Sequence, residues 1–235
     1  MFIYHTKVSA SQVGSDGFQT LFSLIQTMQD ASQFSFDAET QMGDYFRDNN
    51  MTYMLVSRQV DIKRYPAYGE ELEMRTGIYE SKPVMGHRAT EMRGSNGELL
   101  AQSWSAGAVV SLLTGKLARI PKEIIETMNI VPKIDMDYQG RRIDLPETEA
   151  TVQTALLARP SDIDYNHHVN NVQYIRMACE YLPLDYKPKR LRIEYKAQAK
   201  LGDTILPLVY EPADGIRCMQ LMGANNMPYV NVEFS

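Results

Sequence analysis

Cysteine is scarce in this chain, with two among 235 residues, Cys179 and Cys218. That excludes a disulfide scaffold, and their wide separation offers no metal-binding spacing. No apolar run approaches the roughly 20 residues that span a bilayer. Positive charge is not in excess. Lys and Arg number 24 against 29 Asp and Glu, for a net charge of −5. A general nucleic-acid binder would need clustered cations in surplus. The opening residues, Met1-Phe2-Ile3-Tyr4-His5-Thr6-Lys7, lack the basic start and long apolar stretch of a signal peptide. These absences give the expectation of a cytoplasmic protein with no membrane insertion and no nucleic-acid partner. What is present is ordinary globular composition, 44% hydrophobic and 23% charged, enough to bury a core. At about 150 residues per domain the length fits one domain or two.

Periodicity favours two. After a β-like opening and a break at Asp16-Gly17, Phe18, Leu21, Ile25 and Met28 form one helical stripe. A second helix is expected over residues 37–48, with Asp37 as its N-cap. From Met51 the period becomes two, as in Leu72, Met74, Thr76 and Ile78, with further strands at 84–93 and 99–113. Pro121 opens a short helix. Residues 131–149 hold Pro132 and Pro146 without a sustained period and read as a connector. The pattern then restarts. A strand is expected at 151–158 and a loop at 160–169. A helix carries Val172, Ile175, Cys179 and Leu182, each 154 residues after its counterpart in the first. Strands follow at 191–200, 204–210, 216–222 and 229–234. Val60, Ile62, Gly69, Glu70 and Leu72 lie 133 before Ile193, Tyr195, Gly202, Asp203 and Ile205. The drop in offset of 21 residues is read as an insertion, the second helix. The chain is thus an α+β unit used twice, a helix against an antiparallel sheet, with domains expected at 1–132 and 151–235 and a linker at 133–150.

The densest polar cluster is Ser161-Asp162-Ile163-Asp164-Tyr165-Asn166-His167-His168-Val169-Asn170-Asn171, just before the second helix. If it is extended, Asp164, Asn166 and His168 share one face. A carboxylate, a carboxamide and an imidazole beside a helix N-terminus are parts for hydrolysis. Imidazole moves protons near neutral pH, a carboxylate orients it or acts directly, and free amides hold an oxyanion. Asp and Asn before a helix also serve as caps and turn formers, so spacing alone leaves both roles open. His167 and His168 are adjacent and would point to opposite faces, with no third ligand near. No metal site is expected.

The run Asp164-Tyr165-Asn166-His167-His168-Val169-Asn170-Asn171-Val172-Gln173-Tyr174 resembles the D-x-N-x-H-V-N-N-x-x-Y signature of the acyl-acyl carrier protein (acyl-ACP) thioesterases. Thr114-Gly115-Lys116 with Arg119-Ile120-Pro121 resembles the segment closing that family's first domain. Ile193-Glu194-Tyr195-Lys196 through Gly202-Asp203 resembles the strand pair after its catalytic helix. The resemblance implies a tandem hotdog fold, each unit a long helix wrapped by an antiparallel sheet. It implies hydrolysis of fatty acyl-ACP, releasing free fatty acid without a cofactor. Asp164, Asn166 and His168 fall on the family's catalytic positions, and His167 on a variable one. By counting, Gln198 and Ala199 stand where the plant enzymes carry Glu and Cys. Ala199 cannot be a nucleophile. Gln198 can orient water but not accept its proton, so base duty is expected of Asp164 or His168. Amides near His168 and Val169 are the expected oxyanion donors.

The expected partner is acidic acyl carrier protein bearing a fatty acyl-phosphopantetheine. Six cations fall between residues 187 and 200, against Glu194 alone. Lys189, Arg190, Arg192 and Lys196 are the expected substrate-binding residues, although Lys along a sheet edge also serves as edge protection. The methionines of the first half, Met28, Met42, Met51, Met54, Met74, Met85 and Met92, suit an irregular acyl slot or simply a Met-rich core. An acyl-CoA thioesterase of the same fold, a non-catalytic acyl-binding module and a homodimeric assembly stay open.

Overall fold

The computed structural model describes residues 1–213, 215–224 and 226–235. It divides into two compact units, Met1–Tyr138 and Gln139–Ser235.

The first unit contains β1 (Phe2–Lys7), α1 (Leu21–Asp37), α2 (Thr40–Asp48), β2 (Met51–Ile62), β3 (Glu71–Lys82), β4 (Met85–Gly94), β5 (Leu99–Ser111) and α3 (Lys122–Glu126). The strands form an antiparallel sheet in the order β1-β3-β4-β5-β2. Alternation works as expected in β3, where Leu72, Met74 and Thr76 are buried. Along α1 the buried Leu21, Leu24, Ile25, Met28 and Ala31 keep the helical period. Thr20 starts the helix, its side chain accepting from Ser23 N at 3.2 Å. Phe18 therefore precedes the helix. It is 39% exposed and bridges Ala67. Asp37 is the last residue of α1, not the cap of α2, whose N-cap position is Glu39. Under α2 lies a cluster of Met42, Phe46, Ile78, Val109 and Ile120, edged by Phe36 and Tyr53.

The second unit contains β6 (Thr151–Val152), β7 (Leu156–Leu157), α4 (Asn171–Cys179), β8 (Arg190–Tyr195), β9 (Thr204–Ala213), β10 (Ile216–Gly223) and β11 (Pro228–Phe234). Its antiparallel sheet runs β8-β11-β10-β9-β6, with β7 also on β9. The strand expected at 151–158 is thus two short pieces on one partner. The helix stops at Cys179 because Tyr181 N and Leu182 N tighten onto Ala178 O and Cys179 O before Pro183. β8 ends at Tyr195, five residues short of the expected end. There Lys196 N and Ala197 N both turn to Tyr229 O, at 2.8 and 3.2 Å. Each unit is a hotdog, as expected, but the second helix is 9 residues against 17 in the first.

The stretch expected to connect the units lacks regular structure yet packs. Val131 N donates to Ile78 O at 2.9 Å, and Gln59 Nε2 to Asp137 O at 2.8 Å. Val131 sits so close to Gly77 that a Cβ there would lie 2.7 Å from its Cγ1. Ile143 is buried, and its N donates to Glu194 Oε2 at 3.2 Å within the second unit.

The internal repeat is present, with a corrected register. Thr20 and Asn170 both cap their helices. The bridges Val13–Gln19 and Ile163–Val169 correspond. Both place the helix entries 150 residues apart, not 154, while Gly69 and Gly202, with φ of +78° and +83°, keep the 133 offset. A shift of four residues is about one helical turn, which periodicity alone cannot distinguish. The excess in the first unit is therefore 17 residues, not 21, and it consists of the longer α1 together with α2.

Candidate functional site

The polar cluster is a hairpin-like turn rather than an extended segment. Ile163 and Val169 form an antiparallel bridge. Inside it Asp164 N donates to His168 O at 2.9 Å and His167 N to Asp164 O at 3.0 Å. Asp164 Oδ1 accepts from Asn166 N at 2.8 Å, the Asx contact that tightens such turns. His167 takes a φ of +62°, which turns it away from the regular path. Asp164, Asn166 and His168 are thus gathered by a turn, and strand alternation plays no part. Asn166 is exposed, and Asp164 and His168 are half-buried. His168 Nδ1 is shut from solvent with no hydrogen-bond partner among the described residues. This leaves Nε2 as the nitrogen open to a substrate.

The turn is fixed at its base. Just before it, a 3-10 turn at Pro160–Asp162 buries Asp162 to 2% exposure. Asp162 O accepts from Asn170 N at 2.8 Å, and Asn170 Oδ1 caps α4 through Val172 N at 3.0 Å. Val169 N donates to Ala199 O at 2.8 Å. That bond removes Val169 N from the expected oxyanion donors. Among the described residues the amides of His168 and Asn171 form no hydrogen bond, and these remain available at the start of α4.

Ala199 also ties in the segment carrying Gln198. Its N donates to the Tyr174 hydroxyl at 2.7 Å, and Tyr174 is buried on α4. Burial pushes the Tyr174 phenol up, so it stays protonated. Gln198 lies beside Ala199, off any strand, with an exposed side chain. Its backbone neighbour therefore contacts the residue that follows His168. Ala199 is fully buried, as a packing methyl. Cys179 offers no alternative nucleophile. Burial pushes its thiol up to about 12, and Cys218 up to about 11, so both are thiols near neutral pH.

The basic residues of β8 separate. Arg192 is a clamp inside the unit. Nη1 donates to both Glu233 oxygens at 3.0 and 3.2 Å, and Nη2 to Gly140 O and Arg142 O at 2.7 and 2.8 Å. Its guanidinium is engaged within the unit, where Gly140 and Arg142 pass over it. Lys196 Nζ is 3.0 Å from Glu194 Oε1, Arg190 is half-buried and Lys189 is exposed. Sequence reasoning gave no role to Arg176, which reaches Asp162 Oδ1 at 2.8 Å. Its one signal is a cation in the second turn of a helix whose approach carries an acid.

Comparison with known proteins agrees across the chain. The family model for the acyl-ACP thioesterase N-terminal domain matches residues 2–128, and that for the C-terminal domain residues 146–230. A chloroplastic palmitoyl-acyl carrier protein thioesterase of Arabidopsis thaliana is 26% identical over 84% of this chain and 52% of its own length. A chloroplastic acyl-[acyl-carrier-protein] hydrolase of Cuphea viscosissima is 24% identical over 86% and 52%. The chain spans about half the length of these curated relatives. In fold, an acyl-ACP thioesterase from Bacteroides thetaiotaomicron superposes with a TM-score of 0.87 at 18% identity, covering 99% of this chain and 96% of that one. The 12:0-ACP thioesterase from Umbellularia californica gives 0.87 at 18% identity, covering 100% and 97%. Two domain matches in the right order, over the two units of the fold, establish that the chain belongs to the acyl-ACP thioesterase family.

Proposed function

We propose that the chain hydrolyses the thioester of fatty acyl-ACP, releasing the free acid and ending chain elongation. The observation that carries this reading is the turn at 164–168. It presents Asp164, Asn166 and His168 ahead of a capped helix in a chain of this family. A thioester carbonyl is electrophilic and its thiolate leaves readily, so the site needs an oriented nucleophile and oxyanion donors. Water adds to the carbonyl carbon, the oxygen takes the electron pair, and its return expels the thiolate. If the Asp164 carboxylate adds instead, loss of the thiolate leaves a mixed anhydride. Water then hydrolyses it to the free acid and the Asp164 carboxylate, its proton ending on the sulfur through His168. The amides of His168 and Asn171 suit the oxyanion's charge better than Val169 N, which is engaged. His168 Nε2 takes the proton from water and passes it to the departing phosphopantetheine sulfur. Asn166 fixes geometry, and Gln198 can orient the water by hydrogen bonding.

The acyl chain belongs, on this reading, in the first unit, a domain of residues 1–132. Its interior holds the flexible side chains of Met28, Met42, Met74 and Met92, all buried. Carrier docking falls to Lys189, Arg190 and Lys196, with Arg192 serving structure. A reducing, cytoplasmic setting fits the two free cysteines.

The test is a rate comparison on matched acyl-ACP and acyl-CoA thioesters of 8 to about 18 carbons, with Asp164→Ala and His168→Ala variants. Faster turnover of carrier-bound substrate, lost by about 10²-fold or more in both variants, is expected. Full activity in both variants sinks the mechanism. Preference for the CoA series sinks the carrier assignment. Replacing Lys189, Arg190 and Lys196 by Glu raises KM for the carrier substrate alone, and equal effects on both series would refute docking.

A further inference from the structure

The ion pair between Asp162 and Arg176 lies outside the reacting groups, yet one of its members closes the base of the turn. Asp162 Oδ1 accepts from Arg176 Nη2 at 2.8 Å, and Oδ2 from Arg159 N at 2.8 Å. The main-chain oxygen of the same residue holds Asn170 N at 2.8 Å. Asp162 and Asn170 flank the Ile163–Val169 bridge that closes the turn, so one residue grips both sides of it. Arg176 extends that grip into α4, where Nε donates to Gln173 Oε1 at 2.6 Å and Nη1 lies 3.5 Å from Glu180 Oε1.

The first unit shows that the fold does not need this charge. The residue 150 positions before Asp162 is Gln12. Gln12 makes the same local bonds, its Oε1 accepting from Ser9 N at 2.9 Å and its O from Thr20 N at 2.9 Å. Its Nε2 goes to Thr27 Oγ1 at 3.4 Å, and the position of Arg176 is an exposed Gln26. A neutral side chain therefore closes the same turn where no triad stands. Burying a carboxylate against a guanidinium costs desolvation and returns little net stability over a neutral alternative. What it supplies is a fixed geometry.

We infer that Asp162 and Arg176 are positioning residues which hold the 164–168 turn in register for catalysis. The inference rests on the proposed hydrolysis for its kinetic readout and on the turn itself for a second one. The experiment compares Asp162→Gln, Arg176→Gln, the double variant, which places the first unit's Gln12 and Gln26 side chains at these two positions, and Arg176→Lys. The expected result is a fall in kcat on acyl-ACP of about ten- to hundredfold, with KM within about twofold. The double variant falls no further than the worse single one, as for groups acting as a unit, and Arg176→Lys recovers part of the rate. Amide hydrogen exchange at 164–168 speeds up in the Gln variants while the rest of the second unit keeps its protection. A folded double variant with kcat and exchange both unchanged overturns the inference. Because Arg176 is partly exposed, its variants test the pair even where Asp162→Gln fails to fold. If the parent chain hydrolyses no thioester, the function fails, and the exchange measurement alone decides on the clamp.

Discussion

The two turns that enter α1 and α4 share one backbone and differ in nearly everything attached to it. In the first unit Gly14 N donates to Phe18 O at 2.9 Å and Gly17 N to Gly14 O at 3.0 Å. In the second the same bonds join Asp164 to His168 and His167 to Asp164 at the same lengths. Gln19 N reaches Pro66 O as Val169 N reaches Ala199 O, both at 2.8 Å. Where the second turn carries Asp164, Asn166 and His168, the first carries Gly14, Asp16 and Phe18. The backbone therefore asks for none of the three polar side chains, and their presence needs a reason beyond folding. Cap and turn propensity, a fair account of such residues in isolation, explains Asp16 in the first turn and leaves His168 unexplained.

Grafting breaks this comparison most sharply. Replacing Asp164, Asn166 and His168 with Gly, Asp and Phe gives the second turn the first turn's side chains. Loss of hydrolysis by about 10³-fold or more is expected, with a thermal midpoint moved by a few degrees only. A collapse of the fold instead would show that the side chains do serve the turn. The reciprocal graft into Gly14, Asp16 and Phe18 should create no activity. Within the site, Gln198→Ala ranks below these, with an expected loss of about tenfold in kcat, because a neutral side chain orients water without taking its proton. A loss as large as that of Asp164→Ala would give Gln198 a larger part.

Backbone strain separates the turns by a smaller amount. Gly17 sits at φ +79° and His167 at +62°, and a side chain in that region costs about 1–2 kcal/mol. Gly17→Ala should destabilise by roughly that much, and nothing crowds a Cβ there, so conformation alone accounts for it. His167→Gly should be neutral or stabilise by up to about 1 kcal/mol, with little change in rate if His167 is a bystander. Denaturant melts of both variants check the pair. A destabilised His167→Gly would mean that the imidazole makes a contact worth more than the strain.

The same comparison shows what the sequence discloses. Gly69-Glu70 and Gly202-Asp203 are legible as equivalents because a positive-φ turn followed by an acid is a local requirement, met by local residues. Helix register is not legible, since a stripe at 3.6 residues per turn looks the same four residues on. The triad is visible as a motif, but the turn that gathers it depends on hydrogen bonds accepted by the carbonyl oxygens of Ala199 and Asp162. The cations of β8 looked alike in sequence. Arg192 parts from Lys189 because Glu233 on the neighbouring strand and a distant segment, Gly140 and Arg142, both engage it. Such information resides in tertiary packing, and no window of sequence contains it.

The smallest difference lies in how each unit ties off the loop before its strand. In the first, Glu70 Oε2 accepts from Ala67 N at 3.0 Å, and the carboxylate also takes Arg64 at 2.8 Å, with Glu98 on the same guanidinium. In the second, Asp203 Oδ2 accepts from Lys200 N at 2.8 Å and from the neutral Tyr229 hydroxyl at 3.0 Å. The Arg64 hydrogen bond, followed by the Ala67 amide, holds the Glu70 carboxyl below its usual range against the opposing effect of burial. A carboxyl lowered on folding adds stability above its unfolded pKa and loses it as pH falls through the folded one. Glu70→Gln should therefore cost about 1 kcal/mol at neutral pH, after allowance for solvent screening of a partly exposed pair. That cost should fade as pH falls below the normal carboxylate range. Stability measured across pH 7 to about 3 for the parent and Glu70→Gln checks this. A cost that stays constant down to the lowest pH would mean that Glu70 acts as a packed hydrogen-bond acceptor of the Ala67 amide and that the charge of Arg64 adds nothing to the closure of this loop.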